Sequence, residues 1–397
     1  MSELSYLEKL LDGVKVEWKT LEKVLKRTKG TKITAGQMKA LHKDNAPLKL
    51  FAGGKTVAFV DFKDIPEKDI NREPSIIVKS RGIIEFEYYD KPFSHKNEMW
   101  SYHSNNDAIS IKYIYYFLKI NEGYFQKIGG KMQMPQIATP DTDKFEVPIP
   151  CPDNPEKSLA IQSEIVRILD KFTALTAELT AELNMRKKQY NYYRDQLLSF
   201  KEGEVEWKTL GEVAQYSKTR ISFELLDERN YVGVDNLLQN RAGKSLSNHV
   251  PTSGKLTEFI PNDILIGNIR PYLKKIWQAD CIGGTNGDVL VIRCIDSSIN
   301  TRYLYQILAD DKFFEYNMQH AKGAKMPRGS KEDIMKYPIP VPPLTLQARI
   351  VEILNKFDTL TNSITEGLPR EIELRQKQYE YYRDLLFSFP KPETVSN

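Results

Sequence analysis

The chain has few of the residues that build covalent crosslinks or metal centres. Its 397 residues include only three cysteines and five histidines. No Cys-x-x-Cys spacing and no paired histidines occur, so the sequence offers neither a disulfide framework nor a zinc site. Cys151, Cys281 and Cys294 are therefore expected to be reduced thiols.

Long apolar runs and an excess of one charge are also missing. No stretch has the apolar length needed to span a bilayer, and the first residues contain neither the basic run nor the apolar segment of a secretory signal. We therefore expect a cytoplasmic protein. The formal net charge of +4 is too small to indicate nucleic-acid binding by itself. The length and the 41% apolar content are those of an ordinary soluble protein with roughly two or three domains.

Familiar catalytic signatures are absent as well. The sequence contains no P-loop, no Gly-x-Gly-x-x-Gly after a predicted strand, and no Asn/Asp-Pro-Pro-aromatic tetrapeptide of an amino-methyltransferase. His95, His103, His249 and His320 lie in polar segments without a nucleophile signature, which favours surface histidines over catalytic ones. The chain is therefore expected to catalyse no reaction.

What the sequence does contain is an internal repeat. Residues 16–21 (VEWKTL) return unchanged as residues 205–210. Pro148-Ile149-Pro150 returns as Pro338-Ile339-Pro340. A frame that occurs twice in one chain predicts a pseudo-twofold arrangement.

The repeat is selective. A long amphipathic segment follows each Pro-Ile-Pro and ends alike, at residues 188–195 and 377–384. Between the borders, residues 22–147 and 211–337 have almost no resemblance to each other. A duplicated frame with different contents indicates one scaffold that carries two different recognition elements.

Both amphipathic segments are predicted to be long coiled-coil helices. Seam residues recur in alternating steps of three and four over residues 161–200 and 346–389, which is heptad spacing with occasional stutters. Asn154-Pro155 supplies an N-cap and a first-turn proline, whereas Gly367-Leu368-Pro369 should kink the second helix near its middle. Helices of about 40 residues would be about 60 Å long and would most simply pack antiparallel.

The unrepeated segments are predicted to be β-rich domains that share one fold. Each also has a predicted helix, at residues 111–118 and 301–308, followed by a loop rich in Gly, Lys, Met and Pro. Together with the helices, this gives an α+β protein with two similar mixed α/β domains separated by two long antiparallel helices. Short β-branched runs predict strands at residues 75–79, 82–89, 263–267 and 288–293.

These borders and helices resemble the specificity subunit of a type I restriction-modification system. The similarity is closest to the type IC group, on the Thr-Ala-Glu-Leu tandem at residues 176–183 and on residues 364–372. It is nearly complete over residues 1–21, 148–210 and 338–397, about a third of the chain. Within the variable segments it is confined to motifs such as residues 262–271.

The resemblance implies that each variable segment is a target recognition domain that reads one half of a split double-stranded DNA site. The helices would set the separation of the halves and bind two modification subunits that carry S-adenosylmethionine. Restriction subunits would add Mg²⁺- and ATP-dependent translocation and cleavage, and this chain would hold no cofactor. The predicted boundaries are an N-terminal helical segment (1–15), recognition domain 1 (16–150), helical spacer 1 (151–203), recognition domain 2 (204–340) and helical spacer 2 (341–397).

Candidate DNA contacts are basic and amide side chains of the variable segments, because arginine pairs well with guanine and Asn or Gln with adenine. Tyr272 is expected to lie in the core instead. The first segment contributes Arg81, Lys96, Lys131, Gln133 and Gln136, and the second contributes Arg241, Lys244, Arg270, Lys325 and Arg328.

Aromatic residues on the helices are expected to pack against the other helix or a partner subunit rather than to stack on bases. They are Phe172, Tyr190, Tyr193, Phe357, Tyr379 and Tyr382.

Three other interpretations stay open. A fused methyltransferase or nuclease with an unfamiliar site would act on DNA as the pure chain. A coiled-coil scaffold whose domains bind protein would have no salt-dependent DNA affinity. A specificity subunit of an assembly in which one partner polypeptide both cuts and methylates would be distinguished by its neighbouring reading frames.

Overall fold

The computed structural model describes residues 6–130, 134–201, 203–363 and 365–390. The chain forms two compact units, Met1–Leu175 with Arg375–Asn397, and Thr176–Leu374. Each unit thus combines one variable segment with parts of both helical segments. The boundaries predicted at 151–203 and 341–397 follow the sequence repeat, whereas the compact units divide both spacers.

The first unit is built on a frame sheet and two further sheets. β1 and β9 pair antiparallel as the frame sheet, β2, β8, β5 and β6 form an antiparallel sheet in that order, and β4, β3 and β7 form a third, in which β3 and β7 are parallel. In chain order, the elements are α1 (Tyr6–Leu11), β1 (Val16–Thr20), α2 (Leu21–Val24), β2 (Lys26–Lys29), α3 (Ala35–Leu41), β3 (Leu48–Phe51), β4 (Val57–Val60), β5 (Ser75–Lys79), β6 (Glu85–Tyr89), β7 (Phe93–His95), β8 (Trp100–His103), α4 (Ile111–Ile120), α5 (Glu122–Gly129), α6 (Thr139–Asp143), β9 (Glu146–Pro150) and the beginning of α7 (Pro155–Leu197), with 3-10 turns at Phe62–Asp64 and Glu67–Asp69.

The second unit repeats the frame sheet and the antiparallel sheet. β10 pairs with β19, and β11, β18, β15 and β16 form a sheet in the same order as β2, β8, β5 and β6. The elements are β10 (Glu206–Thr209), α8 (Leu210–Val213), β11 (Ala214–Tyr216), β12 (Arg220–Ser222), β13 (Tyr231–Val232), β14 (Lys255–Phe259), β15 (Ile264–Gly267), β16 (Ile276–Gln278), β17 (Gly283–Thr285), β18 (Val289–Cys294), α9 (Thr301–Leu308), α10 (Asp311–Gln319), α11 (Lys331–Ile334), β19 (Pro338–Val341), α12 (Leu344–Asn362) and the beginning of α13 (Gly367–Leu386), with 3-10 turns at Phe223–Leu225, Gln239–Arg241 and Pro271–Leu273.

The third sheets of the two units differ. Each contains a short parallel pair, β3 with β7 in the first unit and β13 with β17 in the second. In the first unit, β4 is added antiparallel to the first strand of this pair, β3. In the second unit, β14 is added antiparallel to the second strand of the pair, β17, and β14 also pairs with β12. The variable segments therefore share one sheet and diverge in the other.

In the first unit, the beginning of α4 contacts α7 through a helix cap and a buried glutamine, and we call such a contact a helical joint. Ser110 Oγ accepts a hydrogen bond from Tyr113 N and caps α4, which satisfies a backbone donor that the helix leaves free. Gln162 of α7 is fully buried. Its amide accepts from Ser110 N (2.9 Å) and donates to Ala108 C=O (2.9 Å).

The second unit contains the same joint with different residues. Asn300 Oδ1 accepts from Tyr303 N (3.2 Å) and caps α9. Gln347 of α12 is also fully buried. It accepts from Asn300 N (2.8 Å) and donates to Ser298 C=O (2.9 Å). Buried amides must be paired because leaving them unpaired is costly, so each glutamine fixes its helix against the neighbouring capped helix.

Most predicted elements of the helical segments are confirmed. Asn154 Oδ1 accepts from Lys157 N (3.0 Å), and α7 begins at Pro155 as predicted. The helix runs for 43 residues. The helices predicted at 111–118 and 301–308 are α4 and α9.

The prediction of one kinked second helix is wrong. α12 ends at Asn362 and α13 begins at Gly367, so the helix is interrupted rather than bent. Pro369 has no N–H and its ring would clash with the carbonyl four residues earlier, so a helix cannot run through it but can begin just before it. Ile364, which was predicted as a seam residue, lies outside the described residues.

The Pro-Ile-Pro repeat is structurally shifted by two residues. Trp18 pairs with Pro148 in the first frame sheet, whereas Trp207 pairs with Pro340 in the second. Since Trp18 and Trp207 occupy the same place in an identical hexapeptide, Pro148 corresponds to Pro340 and not to Pro338. A shift of two keeps every side chain on its original face of the strand. The shift therefore cannot be recognised from the repeated Pro-Ile-Pro sequence.

The strand predicted at 82–89 is shorter than expected. It begins at Glu85. Gly82 is bonded through its N–H to Pro135 C=O (2.9 Å) instead of to a neighbouring strand. The start of the predicted strand is therefore a turn with its own partner.

Candidate nucleic-acid interface

In both units, the turn after one central strand pairs with the loop that follows a helix. The turn comes after β5 in the first unit and after β15 in the second. The loop comes after α5 and α10 respectively, and it contains the Gly/Lys/Met/Pro sequence. We call these the first turn–loop pair (residues 80–82 with 134–137) and the second turn–loop pair (residues 268–270 with 327–329).

Two backbone hydrogen bonds hold the first turn–loop pair. Gly82 N donates to Pro135 C=O (2.9 Å), and Ile137 N donates to Ser80 C=O (3.0 Å). The bonds run in opposite directions, as between antiparallel strands. They fix the tip of the turn to a loop more than 50 residues away in sequence.

The second turn–loop pair has the same two bonds. Arg270 N donates to Pro327 C=O (2.7 Å), and Gly329 N donates to Asn268 C=O (3.2 Å). Arg270 thus stands where the first unit has Gly82, and Pro327 stands where it has Pro135. Two segments with almost no sequence resemblance therefore build the same substructure.

The turn–loop pairs bring together candidate DNA contacts that lie far apart in sequence. Arg81 forms an isolated β-bridge with Gln136 in the first unit. Arg328 forms the corresponding bridge with Ile269, the neighbour of Arg270, in the second. A predicted guanine-pairing and a predicted adenine-pairing residue, Arg81 and Gln136, are thus adjacent in the first unit. In the second unit, two predicted guanine-pairing arginines are brought together.

At one glycine of each turn–loop region, a Cβ atom would collide with neighbouring side chains unless they shifted. A Cβ on Gly129 would lie 2.3 Å from Ile84 Cδ1 and 3.0 Å from Gln136 C=O. A Cβ on Gly329 would lie 2.2 Å from Asn317 Oδ1. Both distances to side-chain atoms are well inside van der Waals contact, so the glycines of the loop sequence have a packing reason.

The charged side chains in the second turn–loop pair, Arg270 and Arg328, and that of Lys325 just before its loop strand, are exposed. Arg328 forms a salt bridge with Asp288 (2.5 Å) and keeps 54% of its side chain exposed. An exposed ion pair contributes little to stability, so this guanidinium is held in place yet can exchange its partner for an anion.

The first pair is less charged. Arg81 and Gln136 are exposed, and Arg81 Nε lies 3.1 Å from Met134 Sδ. A thioether is a weak acceptor, so it orients the guanidinium without neutralising it. Lys131 and Gln133, which were also predicted as DNA contacts, lie outside the described residues.

Sequence reasoning missed two residues at the second pair. Tyr272 was expected in the core, but 49% of it is exposed in the 3-10 turn directly after Arg270. Asp288, the partner of Arg328, was not singled out. The signal for Tyr272 was its position after a proline in a loop; nothing in the sequence indicated the pairing of Asp288.

The other predicted DNA contacts do not join the turn–loop pairs. Lys96 lies at the end of β7 and pairs with Glu98 (2.7 Å). Lys244 Nζ donates to Arg229 C=O (2.7 Å) and lies 5.2 Å from the centre of the Trp277 ring.

Arg241 is turned inward. Its side chain is only 14% exposed and forms a salt bridge with Asp311. Its Nε donates to Ala309 C=O. Because protein acceptors already satisfy this guanidinium, we do not retain Arg241 as a DNA contact.

The predicted aromatic seam packs within each unit. Phe172 stacks on Tyr382 in the first unit, with ring centres 5.4 Å apart. In the second, Phe357 stacks on both Tyr190 (5.6 Å) and Tyr193 (5.5 Å). Stacked rings with these separations are typical of packed aromatic cores.

Burial distinguishes the seam tyrosines further. Tyr190 is buried, and burial raises its pKa to about 12, so its hydroxyl stays protonated and can donate. Tyr379 is partly buried against the first core. The adjacent Tyr192 and Tyr381 are 61% and 65% exposed, so each helix end also carries an aromatic ring that is mostly exposed.

In the described ranges, no group of three or more His, Cys, Asp and Glu side chains is placed to hold a metal ion. Nor does any helix there combine the length and the apolar character that a membrane crossing requires.

The two units correspond to two copies of one known domain. The sequence matches the family described as "Type I restriction modification DNA specificity domain" over residues 17–186 and again over residues 202–374. The chain belongs to this family. The predictions of the family, of the fold class and of a DNA-recognition subunit rather than an enzyme are thereby confirmed.

Full-length relatives support the same assignment for this specificity subunit. The Escherichia coli "Type I restriction enzyme EcoR124I/EcoR124II specificity subunit" is 44% identical, and the alignment covers 100% of each chain. The Escherichia coli "Type I restriction enzyme EcoprrI specificity subunit" is 34% identical over 92% of this chain and 93% of that one. These matches agree with the predicted type IC group.

A solved structure matches the fold. The crystal structure of the type I restriction-modification S subunit from M. genitalium has a TM-score of 0.64, with 16% sequence identity over 96% of this chain and 98% of that chain. At this identity the match concerns the fold alone.

Proposed function

We propose that this specificity subunit reads a bipartite double-stranded DNA site, one half with each variable segment, and that the turn–loop pairs are the base-reading elements. One observation carries the proposal: two segments with almost no sequence resemblance build the same hydrogen-bonded turn–loop pair and present different polar side chains on it. A common scaffold with different donors and acceptors is what reading two different half-sites requires.

The chemistry of the presented groups supports base readout. Arg81 with Gln136 offers a guanine-pairing and an adenine-pairing side chain in the first unit. Arg270 with Arg328 offers two guanine-pairing side chains in the second. Lys325 is exposed in the same loop and is suited to a phosphate, as a point charge. The second half-site is therefore expected to be richer in guanine contacts than the first.

The partners follow from the exposed helix ends. The repeated aromatic residues Tyr192 and Tyr381 are mostly exposed, and aromatic side chains are enriched at protein interfaces. In this proposal they contribute to the docking of two modification subunits, one on each unit. Those subunits would hold S-adenosylmethionine, and restriction subunits would use ATP and Mg²⁺, in the cytoplasm.

The proposed domain boundaries keep the repeat of the sequence. Residues 16–150 and 204–340 are the recognition domains, and residues 151–203 and 341–397 are the spacers that partners bind. The relatives named above are specificity subunits of type I restriction enzymes, which favours separate modification and restriction subunits over one fused partner polypeptide.

The test is methylation-sensitive sequencing of a host that expresses this chain with its modification subunits. We expect one methylated motif with two fixed half-sites and an unspecified spacer. A single continuous motif, or methylation without sequence preference, would contradict the proposal. The pure chain alone should not transfer methyl groups.

A further inference from the structure

Two arginines from different parts of the second unit meet on one backbone carbonyl. Arg194 of α7 donates to Ala309 C=O through its Nη1 (3.0 Å). Arg241, from the loop after β13, donates to the same oxygen through Nε. Ala309 is the C-cap of α9, and the carbonyl end of a helix attracts cations.

Arg194 is held rigidly on the helix side. It is only 3% exposed. Its Nη2 donates to Gln306 Oε1 (2.9 Å) and to the Tyr190 hydroxyl, and its guanidinium lies 4.4 Å from the centre of the Tyr190 ring. A buried charge with several fixed partners has little freedom to move without losing them. Arg194 thus holds Ala309 at a fixed place relative to α7.

Arg241 contacts the turn that runs from Arg270 to Lys274. Its backbone N donates to Lys274 C=O (2.9 Å). Its guanidinium pairs with Asp311, and the same carboxylate accepts from Lys274 Nζ (2.8 Å). Lys274 ends the short turn that begins at Arg270. Arg241 is therefore bonded to this turn directly through its backbone, and indirectly through Asp311, whose carboxylate binds both Arg241 and Lys274.

We infer that Arg241 is a positioning residue: with Arg194 it fixes the Arg270–Lys274 turn against helix α7, and it does not touch DNA. This inference rests on the proposed function of the second turn–loop pair. Arg270 and Lys274 both have positive φ (52° each), a conformation that costs non-glycine residues energy. The bonds from Arg241 stabilise the turn in that conformation.

The first unit is built differently at the same place. Arg383, which corresponds to Arg194 in the repeat, donates to Asp384 (2.7 Å). The residue that corresponds to Gln306 is Tyr116, and its hydroxyl donates to Asp170 (2.5 Å). Arg383 is therefore a matched control for Arg194, with the same sequence context and other partners.

The experiment measures DNA binding by the full chain assembled with its modification subunits. Arg241→Lys and Arg241→Met are compared with wild type on duplexes altered at single positions of either half-site, over a range of salt concentrations. Lysine keeps the charge but lacks the planar fork that serves two acceptors at once. Arg194→Met and Arg383→Met complete the set, and thermal unfolding is recorded for each variant.

For both Arg241 variants we expect selectivity to fall at every position of the second half-site, by about tenfold or more, the size of one lost bidentate base contact. Selectivity at the first half-site and the slope of log K against log salt should stay as in wild type. Arg194→Met should behave alike, and Arg383→Met should retain second-half-site selectivity.

Three results would overturn the inference. A salt slope reduced by about one in Arg241→Met but not in Arg241→Lys would identify a phosphate contact. Selectivity lost at a single base position would identify a base contact. Full selectivity in both variants would mean that Arg241 is dispensable. If wild type itself binds without sequence preference, the proposed function fails, and that outcome is visible before any variant is compared. If Arg241→Met does not fold, Arg241→Lys alone decides.

Discussion

The two units solve the same packing problem with different chemistry. In the first, Asp170 of α7 accepts from Lys112 Nζ (2.7 Å) and from the Tyr116 hydroxyl (2.5 Å), which joins α4 to the spacer helix. The corresponding positions of the second unit form a joint of the same geometry. The side chains that form it are not conserved.

In the second unit, the helix residue is Asn355. It accepts from Arg302 Nε (2.7 Å) and from Gln306 Nε2 (3.2 Å). Arg302 also reaches Asp358 (2.8 Å) on the next turn of α12. The carboxylate of the second joint, Asp358, thus lies three residues after the position that corresponds to Asp170.

The frame keeps the features that satisfy buried backbone groups and varies the rest. The buried glutamines Gln162 and Gln347 and the caps on α4 and α9 are retained, because they satisfy backbone groups that have no other partner. The charged pairs around them vary, because partly exposed ion pairs tolerate substitution. The parts that meet DNA in our proposal vary most.

The largest expected effect comes from lengthening α7 between the units. Duplicating Thr180 to Leu183 adds four helical residues, about 6 Å and a net rotation of about 40°. One base pair adds about 3.4 Å and about 34 to 36°. Both half-sites should be kept, the spacer should gain one base pair, and the original site should no longer be methylated.

Structure and sequence favour survival of the assembly in this variant. Thr180 Oγ1 donates to Thr176 C=O (2.7 Å) within the helix, and only Leu179 and Leu183 of the tandem are partly buried apolar seam residues. Thr180→Ala keeps the length and should keep the spacer. An unchanged spacer after duplication, measured by methylation mapping, would mean that helix length does not set the distance.

The next largest effect concerns the frame. Gln347→Met should lower the free energy of unfolding by about 3 kcal/mol, because Asn300 N and Ser298 C=O lose a buried partner. Gln162→Met should have a similar effect on the first unit. Chemical denaturation checks both. A large loss in one variant and none in the other would contradict the equivalence of the two joints.

Single side chains of the turn–loop pairs should have effects confined to one half-site. Arg328→Ala should cost about 1 to 3 kcal/mol and relax one position of the second half-site, whereas Arg81→Ala should relax one position of the first. Lys325→Ala should weaken all sequences alike and reduce the salt slope by about one.

Quantitative DNA binding with the assembled complex measures these differences. Equal, sequence-independent losses for Arg81 and Arg328 would remove the base-contact assignment. A change at both half-sites after one substitution would contradict the assignment of one half-site to each unit.

The smallest effect is a pH dependence of the first unit. His95 is fully buried, its Nδ1 donates to Lys96 C=O (3.1 Å), and burial lowers its pKa below the ordinary 6.5. The unfolded chain therefore takes up the proton first, so stability is full above about pH 6.5 and falls as the pH drops below it.

At pH 5.5 the contribution lost is at most about 1.4 kcal/mol, the value of one pKa unit. Unfolding of wild type and His95→Asn at pH 7.5 and pH 5.5 tests this. The variant should lose less stability than wild type between the two pH values. An identical loss would show that other groups carry the pH dependence.

Much of the frame could be predicted from the sequence, because it depends on local signals. Asn154 and Pro155 mark the beginning of α7, and the β-branched run at 75–79 is β5. The two-residue shift of the proline repeat could not be predicted, because strand register depends on the partner strand and a shift of two leaves the facing pattern unchanged.

The site was predicted only in part, for a related reason. Arg81 and Gln136 were identified by type, but their adjacency depends on a bridge between distant segments. Arg241 looked like Arg270 in the sequence, since both are cations in glycine-containing or turn-forming loops. Its inward position depends on acceptors at Ala309 and Asp311, which no local pattern indicates.

Exchange of one variable segment tests most directly whether each unit reads its own half-site. Residues 22–147 are replaced by the corresponding segment of a relative, and methylation of the host genome is mapped with the partner subunits present. The account predicts a new first half-site, an unchanged second half-site and an unchanged spacer. A change in both half-sites would contradict the claim that each unit reads its own half of the DNA.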